Sequence, residues 1–130
     1  MKTVLIVEDS YTQREIISKL LKESGLNVKE ASDGVEALKQ VQEHCPDLVL
    51  LDIIMPGMNG YEVCRRLKSD SRGKKPAVVM CSIKKEKFDR YWGMKQGADA
   101  YISKPCYPQE LVGTVKQVLQ EQVKLTEVEV

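Results

Sequence analysis

The sequence predicts an α/β fold, in which a doubly wound sheet of five parallel strands is covered on both sides by five helices. Short apolar runs rich in β-branched residues, typical of strands buried on both faces, alternate with longer amphipathic stretches typical of helices. Parallel strands must be joined by crossovers, which are usually helical and right-handed. The chain has 130 residues, which fits one domain of this kind.

Four apolar runs are expected strands, at residues 3–7, 47–52, 77–81 and 101–102, and residues 27–31 are expected to form a weaker strand. Five stretches with apolar side chains at helical spacing are the expected helices, at about residues 10–23, 33–45, 61–67, 85–95 and 108–119. Ser10 and Asp33 are suitable N-caps for the first two helices, and Pro108 suits the first turn of the last one. The apolar pattern is then lost, so we expect a domain over residues 1–122 and a short, frayed tail over residues 123–130.

The composition argues against several classes of function. The chain has 20 basic and 19 acidic residues and a formal net charge of +1, so it lacks the dense positive field of many nucleic-acid binders. No apolar run approaches the roughly 20 residues of a membrane span, and the first residues do not fit a secretion signal. The four cysteines match no zinc or redox motif. We therefore expect a cytoplasmic protein with reduced thiols, with neither nucleic acid nor membrane as a partner.

Charged and polar side chains follow four of the five strands, where parallel α/β sheets bind their ligands. Glu8 and Asp9 follow the first strand, and Asp52 follows the third, its neighbour in a sheet of order 2-1-3-4-5. Three converging carboxylates repel one another unless a cation joins them, and Mg2+ prefers oxygen ligands completed by a phosphate. Ser82 and Lys104, after the fourth and fifth strands, add a hydroxyl and a positive charge. Together these groups would stabilise a phosphoryl group on Asp52.

Each of these residues has a simpler interpretation when it is taken alone. A carboxylate after a strand is usually a helix cap or a partner of a helix N-terminus, and Ser82 suits a cap for the helix that follows it. A single lysine before a proline is usually a surface charge. Only the joint occurrence of these groups at the ends of strands one, three, four and five favours the functional interpretation.

In its motifs the chain resembles the CheY-like receiver domains of two-component response regulators, a family with a flavodoxin-like fold. The matching segments run in order along the chain, at residues 4–9, 33–38, 47–56, 59–60, 79–82, 97–99 and 101–105. The resemblance implies that Asp52 accepts a phosphoryl group from a histidine kinase. It also implies that Mg2+ is held by Glu8, Asp9, Asp52 and the backbone carbonyl of Ile54.

The resemblance further implies how the signal leaves the site. Ser82 and Lys104 would contact the phosphoryl group, and the Lys104–Pro105 peptide bond would be cis. Tyr101 corresponds to the aromatic residue that turns inward when Ser82 moves, which passes the signal to the face formed by helix four, strand five and helix five. An output or motor protein would bind that face.

The helix expected at residues 85–95 carries more aromatic side chains than one buried stripe needs. Phe88 and Trp92 share one stripe, and Tyr91 and Met94 form another. These side chains either pack in the core or leave Trp92 exposed as an anchor for a partner. We therefore group Trp92 with the switch tyrosine as a candidate partner-binding residue.

Other functions for this fold agree less well with the sequence. An aspartyl-phosphate phosphatase or mutase needs a second Asp two positions after the nucleophile, where this chain has Ile54. A cofactor protein needs backbone donors after the first strand, where Glu8 and Asp9 would repel a cofactor phosphate. A phosphate relay or sink without its own output, and a phosphate-independent pseudo-receiver, stay open as alternatives.

The expected role is that of a stand-alone response regulator rather than an enzyme that turns over a separate substrate. Residues 59–68 and 88–97 are similar to single-domain receivers of pilus-motility and phototaxis pathways, which predicts a motility or taxis pathway. The side chain of Ile54 offers no polar group to orient a hydrolytic water, so we also predict a long-lived acyl phosphate.

Overall fold

Five strands and five helices alternate along the computed structural model of the chain, which describes residues 1–70 and 75–129, with side chains to residue 124. In chain order the elements are β1 (Thr3–Val7), α1 (Tyr11–Glu23), β2 (Asn27–Ala31), α2 (Gly34–His44), β3 (Leu48–Leu51), α3 (Gly60–Ser69), β4 (Ala77–Ser82), α4 (Lys87–Lys95), β5 (Ala100–Ser103) and α5 (Pro108–Glu129).

The strands form one parallel sheet in the order β2-β1-β3-β4-β5, as predicted. β1 pairs with β2 on one side and with β3 on the other, and Val7 lies opposite both Ala31 and Leu51. Strand order therefore reverses at β1. The loops after β1 and β3 leave the same edge of the sheet side by side, which is where ligands bind in open α/β sheets.

Hydrophobic cores lie on both faces of the sheet. On one face, Ala37 of α2 and Val63 of α3 are fully buried against the strands. On the other face, Leu21 of α1 and Val115 of α5 are fully buried in a second cluster. Because both faces are covered, the central strands β1, β3 and β4 are almost entirely apolar. The edge strand β2 carries polar side chains along its length.

The helix caps that the sequence predicts are present. The side chain of Ser10 accepts a hydrogen bond from the amide of Gln13 (3.3 Å), and that of Asp33 accepts one from the amide of Glu36 (2.8 Å). Pro108 is the first residue of α5, where its missing N–H costs no helical hydrogen bond.

Two helix ends differ from the prediction. α4 begins at Lys87, later than predicted, because Glu86 is its N-cap and forms a capping box with Asp89. α5 continues to Glu129, past the expected end at about residue 119. Fraying over residues 123–130, of which residue 130 lies outside the described part, stays a prediction. Once a helix has formed, each further residue adds a backbone hydrogen bond, so it can outlast its apolar stripe. The domain boundary at residue 122 stays a prediction.

In the described part of the chain, no helix combines the length and the apolar character needed to cross a membrane.

Candidate functional site

Three carboxylates meet at the ends of the neighbouring strands β1 and β3. The backbone amide of Asp52 donates to the carbonyl of Val7 (3.1 Å), which holds the two loops together. Glu8, Asp9 and Asp52 each offer a carboxylate oxygen, and these oxygens lie within 4.8 Å of one another. Glu8 is buried, Asp52 is half-buried and Asp9 is exposed, so the cluster opens to solvent at Asp9.

Lys104 neutralises part of this charge. Its Nζ donates to Glu8 Oε1 (2.6 Å), to Asp52 Oδ2 (3.1 Å) and to Gln13 Oε1 (2.8 Å). The side chains of Lys104, Glu8 and Asp52 are only 15%, 3% and 12% exposed, so water and salt screen these charges weakly. The backbone amide of Lys104 also donates to the carbonyl of Ser82 (2.8 Å), which fixes the loop that carries the lysine.

Two residues that border the cluster were not predicted from the sequence. Gln13 supplies the third acceptor for Lys104. Arg14 donates from Nη1 to the carbonyl of Glu8 (2.7 Å), and its Nε lies 3.4 Å from Glu30 Oε1. Both residues belong to the first turn of α1, directly after the loop that carries two of the carboxylates. The only signal in the sequence is their position directly after that loop, and this position does not specify which group either side chain contacts.

Burial and neighbouring charges shift the protonation of the cluster. Burial raises the pKa of Glu8; Lys104 opposes this shift, and the charge of Asp52 and a hydrogen bond with Asp9 add to it. Burial would lower the pKa of Lys104, but its hydrogen bond with Glu8 and the charge of Asp52 outweigh burial and raise that pKa. Lys104 is therefore a permanent cation that faces three carboxylates.

The donor set fits a small divalent cation. One ammonium group cannot neutralise three carboxylates, so the cluster keeps an excess of negative charge. Carboxylate oxygens are the ligands that Mg2+ prefers, and the exposed side of the cluster leaves room for the waters that this ion retains. Glu8, Asp9 and Asp52 could therefore hold Mg2+; the backbone carbonyl of Ile54 as a fourth ligand stays a prediction.

The loop after β3 is held tightly beneath the cluster. The amide of Ile54 donates to Asp52 Oδ1 (3.1 Å) and the amide of Gly60 donates to the carbonyl of Ile53 (2.9 Å). A Cβ at Gly60 would lie 2.3 Å from the carbonyl oxygen of Asp52. Only glycine allows the start of α3 to approach this backbone so closely, and that approach fixes the orientation of the Asp52 loop.

Ser82 and Tyr101 are linked through one residue of the loop after β4. Ser82 is fully buried at the end of β4, and its Oγ accepts from the amide of Lys84 (3.3 Å). Tyr101 is buried on β5, and its hydroxyl donates to the carbonyl of Lys84. The guanidinium of Arg90 lies 5.4 Å from the centre of the Tyr101 ring. The tyrosine thus already points inward.

The Lys104–Pro105 peptide bond is cis, as the resemblance implied.

Trp92 is exposed to solvent and not packed in the core, and Phe88 is exposed as well. Trp92, however, does not share the face of Tyr101 with which it was grouped. Arg90 contacts the Tyr101 ring and donates to Ser103 Oγ (3.2 Å), so Arg90 marks the β5 side of α4. Residues two positions apart lie about 200° apart around a helix. Phe88 and Trp92 therefore lie on the opposite flank of α4.

A family model described as the response regulator receiver domain matches residues 4–116 of this chain. Two curated relatives are regulators of transcription or DNA binders by name. DNA-binding response regulator MtrA of Mycobacterium tuberculosis is 42% identical over 113 residues, which cover 87% of this chain and 48% of that protein. Phosphate regulon transcriptional regulatory protein PhoB of Escherichia coli is 39% identical over 118 residues, which cover 91% and 52%. The chain spans about half the length of these relatives. They lend no support to the expected absence of a nucleic-acid partner.

Solved structures of similar proteins have the same fold over nearly their whole length. A putative response regulator from Chloroflexus aurantiacus superposes with a TM-score of 0.86 at 34% identity, over 92% of this chain and 98% of that one. Chemotaxis protein CheY4 of Vibrio cholerae superposes with a TM-score of 0.85 at 31% identity, over 91% and 98%.

Proposed function

Because the chain belongs to the response regulator receiver domain family, we propose that the carboxylate of Asp52 accepts a phosphoryl group from the phosphohistidine of a histidine kinase. The observation that carries this proposal is the convergence of Glu8, Asp9 and Lys104 on Asp52. A carboxylate with only a structural role at a strand end would act as a helix cap or pair with one cation. It does not need two further carboxylates and a buried lysine.

Charge and positioning account for the chemistry. An oxygen of Asp52 attacks phosphorus, and the P–N bond breaks. The imidazole of the donor leaves with the bonding electron pair and takes up a proton. The amide of Ile54 and the Nζ of Lys104 each hold one oxygen of Asp52 (3.1 Å in both cases), so the nucleophile is oriented before the donor arrives. Lys104 has three donors and would offset the negative charge of the transferred phosphoryl oxygens.

Mg2+ would be held by Glu8, Asp9 and Asp52, with the carbonyl of Ile54 as a further ligand. When bound, the ion supplies positive charge between the carboxylates and the phosphoryl oxygens. The role of this chain is to present ionised oxygens. Arg14 supports that role, because it donates to the backbone of Glu8 and fixes the loop that carries two of the ligands.

A route from the site to the surface passes through Lys84. If the hydroxyl of Ser82 turns to donate to a phosphoryl oxygen, its contact with the amide of Lys84 (3.3 Å) is disturbed. The carbonyl of Lys84 accepts the hydrogen bond of Tyr101. Movement of Ser82 therefore affects Lys84, which holds the switch tyrosine. A change at that tyrosine in turn affects the face formed by α4, β5 and α5. We propose that an output protein binds this face according to the phosphorylation state.

The rest of the protein's role keeps the status of a prediction. The phosphoryl group would end on the chain's own side chain, which makes this domain a phosphoacceptor rather than a turnover enzyme. A motility or taxis pathway, a cytoplasmic location, stand-alone action and a role as a relay or sink are all compatible with the site. The phosphate-independent alternative has no observation in its favour, since every residue needed for phosphoryl transfer is present.

The proposal is tested by the intact mass of the chain after incubation with Mg2+ and acetyl phosphate. We expect one phosphoryl adduct, absent when the metal is chelated and absent from Asp52→Asn. Asp47→Asn is the matched control, because Asp47 flanks the opposite end of β3 and its side chain accepts from the amide of Thr3 (2.8 Å). An adduct that persists in Asp52→Asn, or none in a folded native chain, would contradict the proposal.

A further inference from the structure

An exposed pair of aromatic rings lies on α4, and the phosphoryl site does not use it. The rings of Phe88 and Trp92 stack with centroids 6.3 Å apart and planes 5° apart. Phe88 is 70% exposed and Trp92 is 42% exposed. Contiguous exposed apolar patches mark interaction sites, whereas isolated exposed apolar side chains do not.

The pair faces the α3 side of α4. Arg90 packs toward β5, and Phe88 and Trp92 lie about 200° from it around the helix. On the other flank, the hydroxyl of Tyr61 on α3 donates to the carbonyl of Asp89 (3.2 Å), so α3 is the neighbour of α4 on that side. The rings are therefore separate from the face that responds to the switch tyrosine.

Basic residues are concentrated in the segment of the chain that carries the rings. From the end of β4 to the end of α4 the chain carries five basic and two acidic residues, although its formal net charge is only +1. One of the acids, Asp89, already pairs with Lys84 (3.5 Å). Lys85, Lys87 and Lys95 are exposed, and within the described residues none of them has a carboxylate at ion-pair distance. Their charge is available to a partner.

We propose that the surface formed by Phe88, Trp92 and Lys95, the α3-side surface of α4, docks an acidic amphipathic segment of a partner protein. These three residues follow a spacing of i, i+4 and i+7, so they form one stripe along α4. Apolar side chains of the partner pack on the rings, and its carboxylates pair with Lys95 and with the lysines before and at the start of the helix.

A nucleic-acid strand suits this surface less well. Binding of a strand needs a positively charged groove that follows the phosphate backbone, and the formal net charge of this chain is only +1. The nearby ring of Tyr91 has the ammonium group of Lys95 6.0 Å from its centre. A protein segment needs only an apolar contact with the rings and a few charges to pair with, and this surface offers both.

This inference does not rest on phosphorylation of Asp52. The stripe lies on the opposite flank of α4 from Arg90 and Tyr101, so docking is expected with or without a phosphoryl group. Equal binding of the segment by the native chain before and after treatment with acetyl phosphate and Mg2+, and by Asp52→Asn, would therefore separate this surface from the proposed output face.

The test uses a phage-displayed library of random peptides, selected on the full chain and counter-selected on the double variant Phe88→Ala/Trp92→Ala. We expect the enriched peptides to combine Asp or Glu with Leu or aromatic residues. A synthetic copy of the strongest peptide should shift the emission of Trp92, the only tryptophan of the chain, to shorter wavelength. Its affinity should fall at least about tenfold in Phe88→Ala, as for an interface anchor.

Charge reversal and matched controls complete the test. The double variant Lys85→Glu/Lys87→Glu should bind the peptide more weakly. Tyr107→Ala should leave the affinity unchanged, because Tyr107 is a 79% exposed aromatic residue at a different place on the surface. Several results would overturn the proposal: no enrichment over the double variant, enriched peptides that are neutral or basic, or equal affinity for the charge-reversed variant. Tighter binding to a DNA duplex or to phosphatidylserine vesicles than to any selected peptide would also overturn it.

Discussion

Replacement of Lys104 by methionine tests how the acidic cluster is stabilised. Methionine keeps most of the apolar stem of lysine and removes the charge that Glu8 and Asp52 share at 2.6 and 3.1 Å. The variant leaves Glu8, whose side chain is only 3% exposed, without a cation. Breaking a buried ion pair in this way costs about 3–5 kcal/mol. Because Asp52 and Asp9 are nearer to solvent, we expect the free energy of unfolding to fall by about 3 kcal/mol, at the lower end of that range.

Metal dependence identifies the cause of the loss. A bound cation stabilises the folded chain according to its occupancy, by about 2.7 kcal/mol when its concentration is 100 times its dissociation constant. Since the Lys104→Met variant has no ammonium group to compete for the carboxylate oxygens, Mg2+ should stabilise it more than the native chain. We expect the cost of the substitution to be largest in a chelator and to shrink as Mg2+ is added.

Urea unfolding, followed by circular dichroism with and without Mg2+, measures both quantities. A loss of about 3 kcal/mol lowers the unfolding midpoint by about 1–2 M for a typical slope. Lys2→Met is the control, because Lys2 lies 3.9 Å from Asp47 at a more exposed position and should change stability by less than about 1 kcal/mol. A loss of stability in Lys104→Met that is no larger than the loss in Lys2→Met would contradict this account. Equal stabilisation of the native chain and the Lys104→Met variant by Mg2+ would also contradict it.

Three further predictions concern other parts of the molecule. Ile54→Asn should shorten the lifetime of the phosphorylated form several-fold by orienting a hydrolytic water, as measured by the decay of the adduct in intact-mass spectra; unchanged decay would count against the idea. Gly93→Ala should lower the free energy of unfolding by about 1–3 kcal/mol because a Cβ there would lie 3.2 Å from the Tyr101 ring, whose hydroxyl should then exchange more readily; an unchanged urea midpoint would show that α4 can move away. Iodoacetamide should modify the exposed Cys45 of the native chain first, whereas Cys81, whose pKa burial raises to about 12, should react only after unfolding; rapid native labelling at Cys81 would refute its burial.

Strand ends were the most predictable part of the site. Asp52 and Lys104 each follow an apolar run, and parallel strands bring such positions to one edge of the sheet whatever the details of packing. Side-chain contacts between different helices and strands were harder to predict from the sequence. The bond from Lys104 to Gln13 joins residues 91 positions apart, and no local pattern in a first helical turn specifies it.

The orientation of α4 shows a second limit of sequence reasoning. Helical periodicity correctly places Phe88 and Trp92 on one stripe, but it does not say which neighbouring element that stripe faces. Here the answer depends on Gly93, where α4 approaches β4 and β5 so closely that a Cβ would lie 2.7 Å from the sulfur of Met80. That close contact points one side of the helix inward and leaves the aromatic stripe in solvent.

Chemical trapping tests whether Asp52 itself carries the phosphoryl group. The chain is incubated with acetyl phosphate and Mg2+, reduced with borohydride and digested, and the peptide that contains position 52 is sequenced by mass spectrometry. Borohydride converts an aspartyl phosphate to homoserine and leaves free carboxylates intact. Homoserine at position 52, dependent on both reagents, is the expected result. Homoserine at Asp9 or at another aspartate, with Asp52 unchanged, would contradict it.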